Sequence, residues 1–396
     1  MIGRWVIKLS SAYLRKTVYL YYPLTIGGFS LSKKLRAGYT TGTSAAAAAK
    51  AAVLAHYGQF PKVVEVYSPQ GQSILVPVAA SKGTPTGGCA TVIKDSGDDP
   101  DITNGAEIVV EVELTDIPDI VIKAGLGVGI VTKPGLSVPV GEPAVNPGPQ
   151  KMIIQTLQNT ILHNQGAIVT ISIPDGVSLA KRTLNPTLGI VGGLSIIGTT
   201  GIVHPMSEEA FKNSLTPQIS IAKAQGYDEL VLVPGKIGQD IAINRYNLPA
   251  EAVVQTSNFI GHMLESAVEQ GIKRILLFGH LGKLVKVAAG IFHTHNRMAD
   301  ARLETIAAYM GAAGAPSEAL QQILACTTTE AAMPIIEHYK MTAIYSTLAE
   351  RASIRAMRYV FDDLTVGTAI VTLKGNIIGY DKAAIEIGGS LGWGIK

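Results

Sequence analysis

Arg274-Ile-Leu-Leu-Phe-Gly-His-Leu-Gly-Lys283 is the stretch that decides the fold of the second half of this chain. Arg274 to Phe278 reads as a short apolar strand, and it runs directly into the glycine loop Gly279-His280-Leu-Gly282-Lys283. The same rhythm of strand, glycine loop and helix recurs from Arg182 onward. Leu188 to Val191 precedes Gly192-Gly193-Leu-Ser-Ile-Ile-Gly-Thr-Thr-Gly201, with a helix expected after Ser207 because Glu208 and Glu209 would occupy its first turn. Leu230 to Val233 precedes Pro234-Gly235-Lys-Ile-Gly238, and Ala252 to Gln255 precedes Ser257-Asn258. Alternation of this kind predicts a parallel sheet with crossover helices, because parallel neighbours need long connections. The loops after the strands then gather at one edge, where open α/β sheets bind ligands. Helices over roughly 299–360 and a closing hairpin over Thr365 to Tyr380, turning at Gly375-Asn376, complete the half.

Upstream the pattern differs. Val63 to Tyr67, Ser73 to Val78, Cys89 to Lys94, Glu107 to Leu114, Ile120 to Ile122 and Ala167 to Ile173 read as strands rich in Val and Ile, with a helix expected over Lys151 to His163. A second helix begins within Arg-Ala-Gly-Tyr-Thr-Thr-Gly-Thr-Ser-Ala-Ala-Ala-Ala-Ala-Lys at 36–50, where Ser44 or Thr43 is the expected cap and Gly38 and Gly42 let the backbone turn toward a ligand. The expected fold class is therefore α+β and α/β in two domains. Residues 33–180 form an α+β domain with a mixed sheet, and residues 181–396 form a Rossmann-like α/β domain with C-terminal helices and a hairpin. Residues 1–32 read as an N-terminal extension: Lys8, Arg15, Lys16 and Pro23 interrupt it well short of the roughly 20 apolar residues of a membrane span, and it has no signal-peptide layout.

Composition narrows the function. A chain of 396 residues exceeds one ordinary core, and 47% hydrophobic against 16% charged residues describes a globular interior. The net charge of +3 and an aromatic share of 6% argue against nucleic acid as a partner. Cys89 and Cys326 give neither a disulfide framework nor a zinc spacing, which fits a reducing, cytoplasmic setting. No Asp or Glu precedes Glu65, whereas nine Lys or Arg do. Homo-oligomer formation is left open.

Several constellations could carry chemistry. In the loop 192–201, Gly192 and Gly193 permit close backbone approach and Ser195, Thr199 and Thr200 offer hydroxyls; it matches neither the Rossmann nor the Walker spacing, and a long strand-to-strand turn is an equal reading. Asp95, Asp98, Asp99 and Asp101 crowd one turn, either as a solvated acidic loop or as a device that fixes a ligand-facing loop. His280, His293 and His295 would suit a metal centre, but no Cys or Asp stands at a partner spacing. Lys283, Lys286, Arg297 and Arg302 near them favour a multiply charged anion. The loop 125–147 adds Thr132, Lys133, Glu142 and Asn146 as a ligand wall or a rigid connector.

Taken in order, these words resemble the CbiD family of cobalt-precorrin-5B C1-methyltransferases. The matching segments are Gly-Tyr-Thr-Thr-Gly-Thr-Ser-Ala-Ala-Ala-Ala-Ala-Lys at 38–50, Lys-Asp-Ser-Gly-Asp-Asp-Pro-Asp at 94–101, Thr-Lys-Pro-Gly-Leu and Gly-Glu-Pro-Ala-Val-Asn-Pro within 132–147, and Thr-Leu-Asn-Pro at 183–186. They continue with Gly-Gly-Leu-Ser-Ile-Ile-Gly-Thr-Thr-Gly-Ile-Val at 192–203, Ser-Asn-Phe-Ile-Gly at 257–261, Gly-His-Leu-Gly-Lys-Leu-Val-Lys at 279–286, Ala-Gly-Ile-Phe-His-Thr-His at 289–295 and Ala-Asp-Ala-Arg at 299–302. Ser44 stands where the family often has cysteine, which argues against an essential thiol there. The resemblance implies S-adenosylmethionine-dependent methylation of C1 of a cobalt-bound, ring-contracted tetrapyrrole, with cobalt arriving in the substrate and no protein metal site. For the donor, glycine loops with hydroxyls at the sheet edge offer Gly192, Gly193, Ser195, Thr199, Thr200 and Gly235 as the candidate holders. Substrate carboxylates would meet Thr40, Thr41, Thr43, Lys133, Lys181, Arg182, Lys283, Lys286 and Arg302, with Asp95, Asp98, Asp99, His280, His293 and His295 as loop or ligand contacts. A metal-dependent hydrolase using the three histidines and a noncatalytic tetrapyrrole carrier are the competing readings; the small-molecule corrinoid is the expected partner, with no membrane.

Overall fold

The computed structural model describes residues 35–393, so the expected extension at 1–32 lies outside the described residues. Five strands build the first sheet: β1 (Ala80–Thr84), β2 (Gly87–Ile93), β3 (Glu107–Thr115), β4 (Ile120–Ala124) and β5 (Gly166–Ser172). Their spatial order is β1-β2-β3-β5-β4, with β4 and β5 parallel and the other pairs antiparallel, so the sheet is mixed. Strand β3 shows why one face is buried. Ile108, Val110 and Val112 point into the core while Glu107, Glu111 and Glu113 face out, the period of two that a half-buried strand requires.

Helix α1 (Thr41–His56) packs on that face, and α2 (Pro147–Gln158) packs on α1. Ala45 to Ala49 are wholly buried, as expected of a helix apolar on every side. The sheet comes close because it meets α1 with glycine. A Cβ at Gly88 would lie 2.1 Å from the Ala52 carbonyl oxygen and one at Gly83 2.3 Å from that of Ala55. The helix begins earlier than the sequence predicts: Thr40, in extended conformation, is the cap and accepts from the Thr43 N–H at 3.2 Å, because Gly42 is carried inside the first turn. Helix α2 likewise starts four residues before Lys151, with Pro147 supplying a preset φ at its first position.

The second sheet contains β6 (Glu229–Val233), β7 (Val253–Gln255), β8 (Arg274–His280), β9 (Thr365–Val371) and β10 (Ile377–Tyr380). Its order is β7-β6-β8-β9-β10, the first four parallel and β10 antiparallel to β9. Ile275 to Phe278 are all buried, the continuous apolar run of a strand covered on both faces. Crossovers run through α3 (Lys236–Asn244), α4 (Ile260–Glu269) and α5 (Leu281–Ala288); α6 (Arg302–Ala312), α7 (Ser317–Leu324), α8 (Thr329–His338) and α9 (Ile344–Tyr359) connect β8 to β9. The hairpin turns through Gly375 at φ +81°.

One expected strand belongs elsewhere. Leu188 to Val191 reads from the sequence as the first strand of the parallel sheet, but Ile190–Val191 pairs antiparallel with Ile130–Val131, and Gly193–Leu194 pairs with Gly127–Val128. The reason is burial. Leu194 and Ile196 complete the core under the first sheet, while Leu188 and Ile190 close a small cluster with Val131, Val138 and Ala144. Parallel pairing of the second sheet therefore begins at Glu229.

Candidate active site at the carboxyl edge of the parallel sheet

Strand order reverses between β6 and β8, since β6 leads outward to β7 and β8 leads the other way to β9. Such a switch point opens a crevice at the carboxyl ends of the strands. Two loops line it. After β6 come Pro234 and Gly235, and after β8 comes the cap of α5. The first loop lies against the end of β8: a Cβ at Gly279 would be 2.8 Å from Pro234 Cδ. Gly235 is different, because a Cβ there would meet nothing within 4 Å. It caps α3 in fully extended conformation, so the N-terminus of α3 faces open space. His280 caps α5 through Nδ1, which accepts the Gly282 N–H at 3.1 Å. Its proton then sits on Nε2, beside the Glu330 carboxylate at the start of α8. Burial pulls the basicity of His280 down, and the opposing pull of Glu330 does not restore it.

Four sequence words separated by up to 44 positions converge beside this crevice, and the lysines of α5 are the centre of the convergence. Lys286 is wholly buried and donates to Thr294 O at 3.2 Å, Asn296 Oδ1 at 2.7 Å and Ala299 O at 2.9 Å. Lys283, one turn earlier and half-buried, donates to Asn258 Oδ1 at 2.5 Å and Thr294 O at 3.3 Å. Burial depresses the pKa of both; Lys286 and Arg302 push Lys283 further down, while at Lys286 Asp300 works against burial and Arg302 with it. Arg302 is committed to Asp300 through two hydrogen bonds of 2.7 and 2.8 Å. Of the cations expected to meet substrate here, Lys286 is enclosed by its own chain and Lys283 stands at the rim.

The other anticipated residues have different surroundings. Thr40, Thr41 and Thr43 are buried. Thr41 Oγ1 accepts the Ile197 N–H at 2.9 Å and donates to Ile197 O at 3.2 Å, and Thr43 Oγ1 donates to Gly201 O at 2.6 Å. The loop 192–201 is thereby sewn to α1. Gly193 has no room for a side chain, its Cβ position being 2.0 Å from Gly127 O, whereas Gly192 at φ +90° faces open space. Ser195 Oγ donates to Asn185 Oδ1 at 3.3 Å, Thr199 O accepts from Gln70, and Thr200 Oγ1 donates to Ile202 O. Asp95 holds Arg36 through two hydrogen bonds, Asp98 accepts the Arg36 N–H at 2.7 Å, and Asp99 accepts the Met206 N–H at 2.8 Å. The acidic turn is a clamp on the segment before α1.

Lys181 and Arg182 are exposed behind the short helix Gly176–Ala180. Lys133 lines a cleft of about 240 Å³ with Thr187 on one side and Gln225, Lys236, Gln239 and Glu251 on the other. The free edge of β7 in this region is closed by a side chain: Gln218 accepts the Gln255 N–H at 3.0 Å and donates to Gln255 O at 3.3 Å.

His293 packs against Phe259 with ring centroids 4.8 Å apart, and His295 Nδ1 accepts the Arg297 N–H at 3.2 Å. Among the described residues no group of three or more His, Cys, Asp or Glu is gathered so as to hold a metal ion, and no helix is long and apolar enough to cross a membrane. Sequence reading missed Glu330, Asn296 and Asp300 as members of this cluster. Asn258 had a signal, since it follows a strand of the parallel sheet at the binding edge; Glu330 had none, lying on the third helix after α5.

An α/β protein with a polar, partly open crevice at a strand-order reversal is what the geometry defines. Comparison with known proteins narrows the class. The CbiD family model matches residues 30–205 and the model of the CbiD C-terminal domain matches residues 293–382. A protein of Moorella thermoacetica named cobalt-precorrin-5B C(1)-methyltransferase is 53% identical over 91% of this chain and 99% of its own length. Proteins of the same name from Desulfitobacterium hafniense and Methanocaldococcus jannaschii are 45% and 44% identical, each over 89% of this chain and over 92% and 98% of their own lengths. A 1.9 Å crystal structure of the cobalamin biosynthesis protein (cbiD) from Archaeoglobus fulgidus is 30% identical, covering 68% of this chain and 84% of that one, with a TM-score of 0.37. The chain belongs to the CbiD family.

Proposed function

We propose that this chain is an S-adenosylmethionine-dependent C-methyltransferase that methylates C1 of cobalt-precorrin-5B to give cobalt-precorrin-6A, in the cytoplasmic, anaerobic branch of cobalamin biosynthesis. The observation that carries the reading is 53% identity across 91% of the chain to a protein bearing that name. When bound, the sulfonium donor supplies an electrophilic methyl group, so the protein mainly has to position the reactants in line. The parallel-sheet half acts as a Rossmann-like donor half. Gly235 suits donor binding, because its extended backbone and empty surroundings admit a ligand against the N-terminus of α3. Gly192 has the same free space.

The corrinoid carries many carboxylates and lies between the two halves. Lys133, Lys181 and Arg182 offer charge-assisted hydrogen bonds from one side, and the crevice beside α5 lies on the other. Lys286 serves indirectly, by holding the segment 294–299 that forms one wall. Thr40, Thr41 and Thr43 likewise act by shaping the loop 192–201.

Titration calorimetry with S-adenosylmethionine, followed by mass analysis of cobalt-precorrin-5B after incubation with both, tests the reading. Donor binding and a gain of one methyl on the corrinoid are expected. A protein that binds the corrinoid but neither binds the donor nor transfers methyl would be a carrier, and the proposal would fall. Gly235→Val is expected to weaken donor binding at least tenfold with an unchanged melting temperature. Gly193→Val has no such use, because its side chain would collide with Gly127 and report on folding alone.

A further inference from the structure

Lys283 and Lys286 lie one turn apart on α5, yet their surroundings ask for different protonation states. An ammonium has three N–H donors and a neutral amine has two plus a lone pair. Lys286 Nζ has three acceptors, Thr294 O, Asn296 Oδ1 and Ala299 O, and Asp300 lies near enough to favour its charge. Lys283 Nζ has two, Asn258 Oδ1 and Thr294 O, and among the described residues no carboxylate within 4 Å. It also stands in the first turn of α5, where the helix dipole disfavours a cation. The titratable and charged groups on the elements about it are Lys286 and His280 of its own helix, His293, His295 and Arg297 on the segment after α5, Asp300, Arg302 and Glu304 at the start of α6, and Glu330 of α8. Burial, Lys286 and Arg302 all act to lower its pKa.

We propose that Lys283 is the proton acceptor of the methyl transfer, its amine held by two donated hydrogen bonds with the third tetrahedral direction open to substrate. The inference rests on the methyltransferase reading and gives Lys283 a different role from anchoring a carboxylate. The step balances. A bond forms between the methyl carbon and the ring carbon as the S–CH3 bond breaks, with that electron pair remaining on sulfur. Cationic methyl added to a neutral conjugated macrocycle leaves one excess positive charge on the product. One proton leaves the macrocycle for the Lys283 lone pair, giving the ammonium, which solvent later deprotonates.

The test has two arms. In the unliganded protein, pH-dependent acylation followed by peptide mass analysis should label Lys283 at least one pH unit below the surface lysines, with Lys286 protected at every pH. In turnover, the acid limb of the kcat profile should follow the titration of Lys283. Lys283→Arg, which keeps the charge but cannot accept a proton, should lose at least a hundredfold in kcat while KM for the corrinoid changes less than threefold; Lys283→Met should behave alike. Wild-type turnover with Lys283→Arg retaining kcat and the pH profile overturns the proposal, as does labelling of Lys283 together with surface lysines. Absence of methyl transfer by the wild type would instead strike the methyltransferase reading itself, a result distinguishable from either.

Discussion

The segment entering α1 and the loops leaving β6 and β8 are built alike, with glycine and polar residues running into a helix N-terminus, yet they serve opposite ends. Before α1 every polar feature is consumed by the protein. Thr40 caps, Thr41 and Thr43 hold the loop 192–201, and Asp95 and Asp98 grip Arg36. Gly38 exists there because another chain segment occupies its side-chain space, with Ser96 C 2.2 Å and Asp95 O 2.3 Å from a Cβ. At the sheet edge, Gly235 has empty surroundings and Lys283 an unfilled coordination. The same residue type marks close packing in one region and access in the other, and only the surrounding chain tells them apart.

The sharpest way to break this comparison is to add side chains at both glycines. Gly38→Val should cost about 3 kcal/mol or more, because backbone must move to admit it, while Gly235→Ala should stay within about 0.5 kcal/mol of the parent; urea denaturation of both would measure the contrast. Equal losses would mean that both loops are packed.

The lysine pair gives the next largest effect. Lys286→Met removes a wholly buried ammonium together with the three hydrogen bonds that tie 294–299 to α5 and should cost about 2–3 kcal/mol, with faster hydrogen exchange over 294–299. Lys283→Met should cost less than about 1 kcal/mol, since one of its acceptors keeps a donor in Lys286. A Lys283 variant as unstable as the Lys286 one would make Lys283 a structural residue.

Thr41→Val removes both ends of the bridge to Ile197 and should lower stability by about 1–2 kcal/mol, read as a lower urea midpoint with unchanged slope. A neutral result would mean that Thr43 and packing hold the loop 192–201 without the Thr41 bridge.

The smallest effect belongs to pH. Burial pushes the Asp101 carboxyl up, but the Lys94 ammonium at 2.6 Å and the hydrogen bonds from Thr103 outweigh it, so its pKa in the folded protein lies below the ordinary carboxylate value. A group depressed in this way contributes stability in full above its unfolded value of about 3.9 and loses it as pH falls through the folded value. Asp101→Asn should therefore be less stable than the parent at pH 6, with the gap closing below about pH 4. A gap independent of pH would show that the carboxylate charge plays no part in the clamp.

Much of this architecture is legible in the sequence. Strands with Val and Ile at alternating or continuous positions are recognisable within a residue or two of their observed ends, as at Val63–Tyr67 and Glu107–Thr115, and the Gly375 turn closes its hairpin. Ala80–Thr84 is invisible, since Ala-Ser-Lys-Gly-Thr has no apolar alternation and becomes a strand only by lying beside β2. Leu188 to Val191 is legible as extended chain but not in its partner. In the site, Lys283, His280 and Gly235 can be nominated from the rule that ligands gather after parallel strands. Asn258 follows by the same rule, but the acceptors Thr294 and Asn296 do not, because they follow α5 on a segment without repetitive pattern.

The amino-acid sequence by itself determined most of the strands, the parallel character of the second sheet, and, through the ordered words from Gly38 to Arg302, the family. Those features depend on periodicity, glycine conformation and capping, which act over a few residues. Tertiary structure alone decided which hydroxyls are spent on the protein, which glycines face space, and which of two lysines one turn apart is sealed among three acceptors. Burial and hydrogen-bond saturation are set by segments distant in sequence, and they turn identical residue types into scaffold or into chemistry.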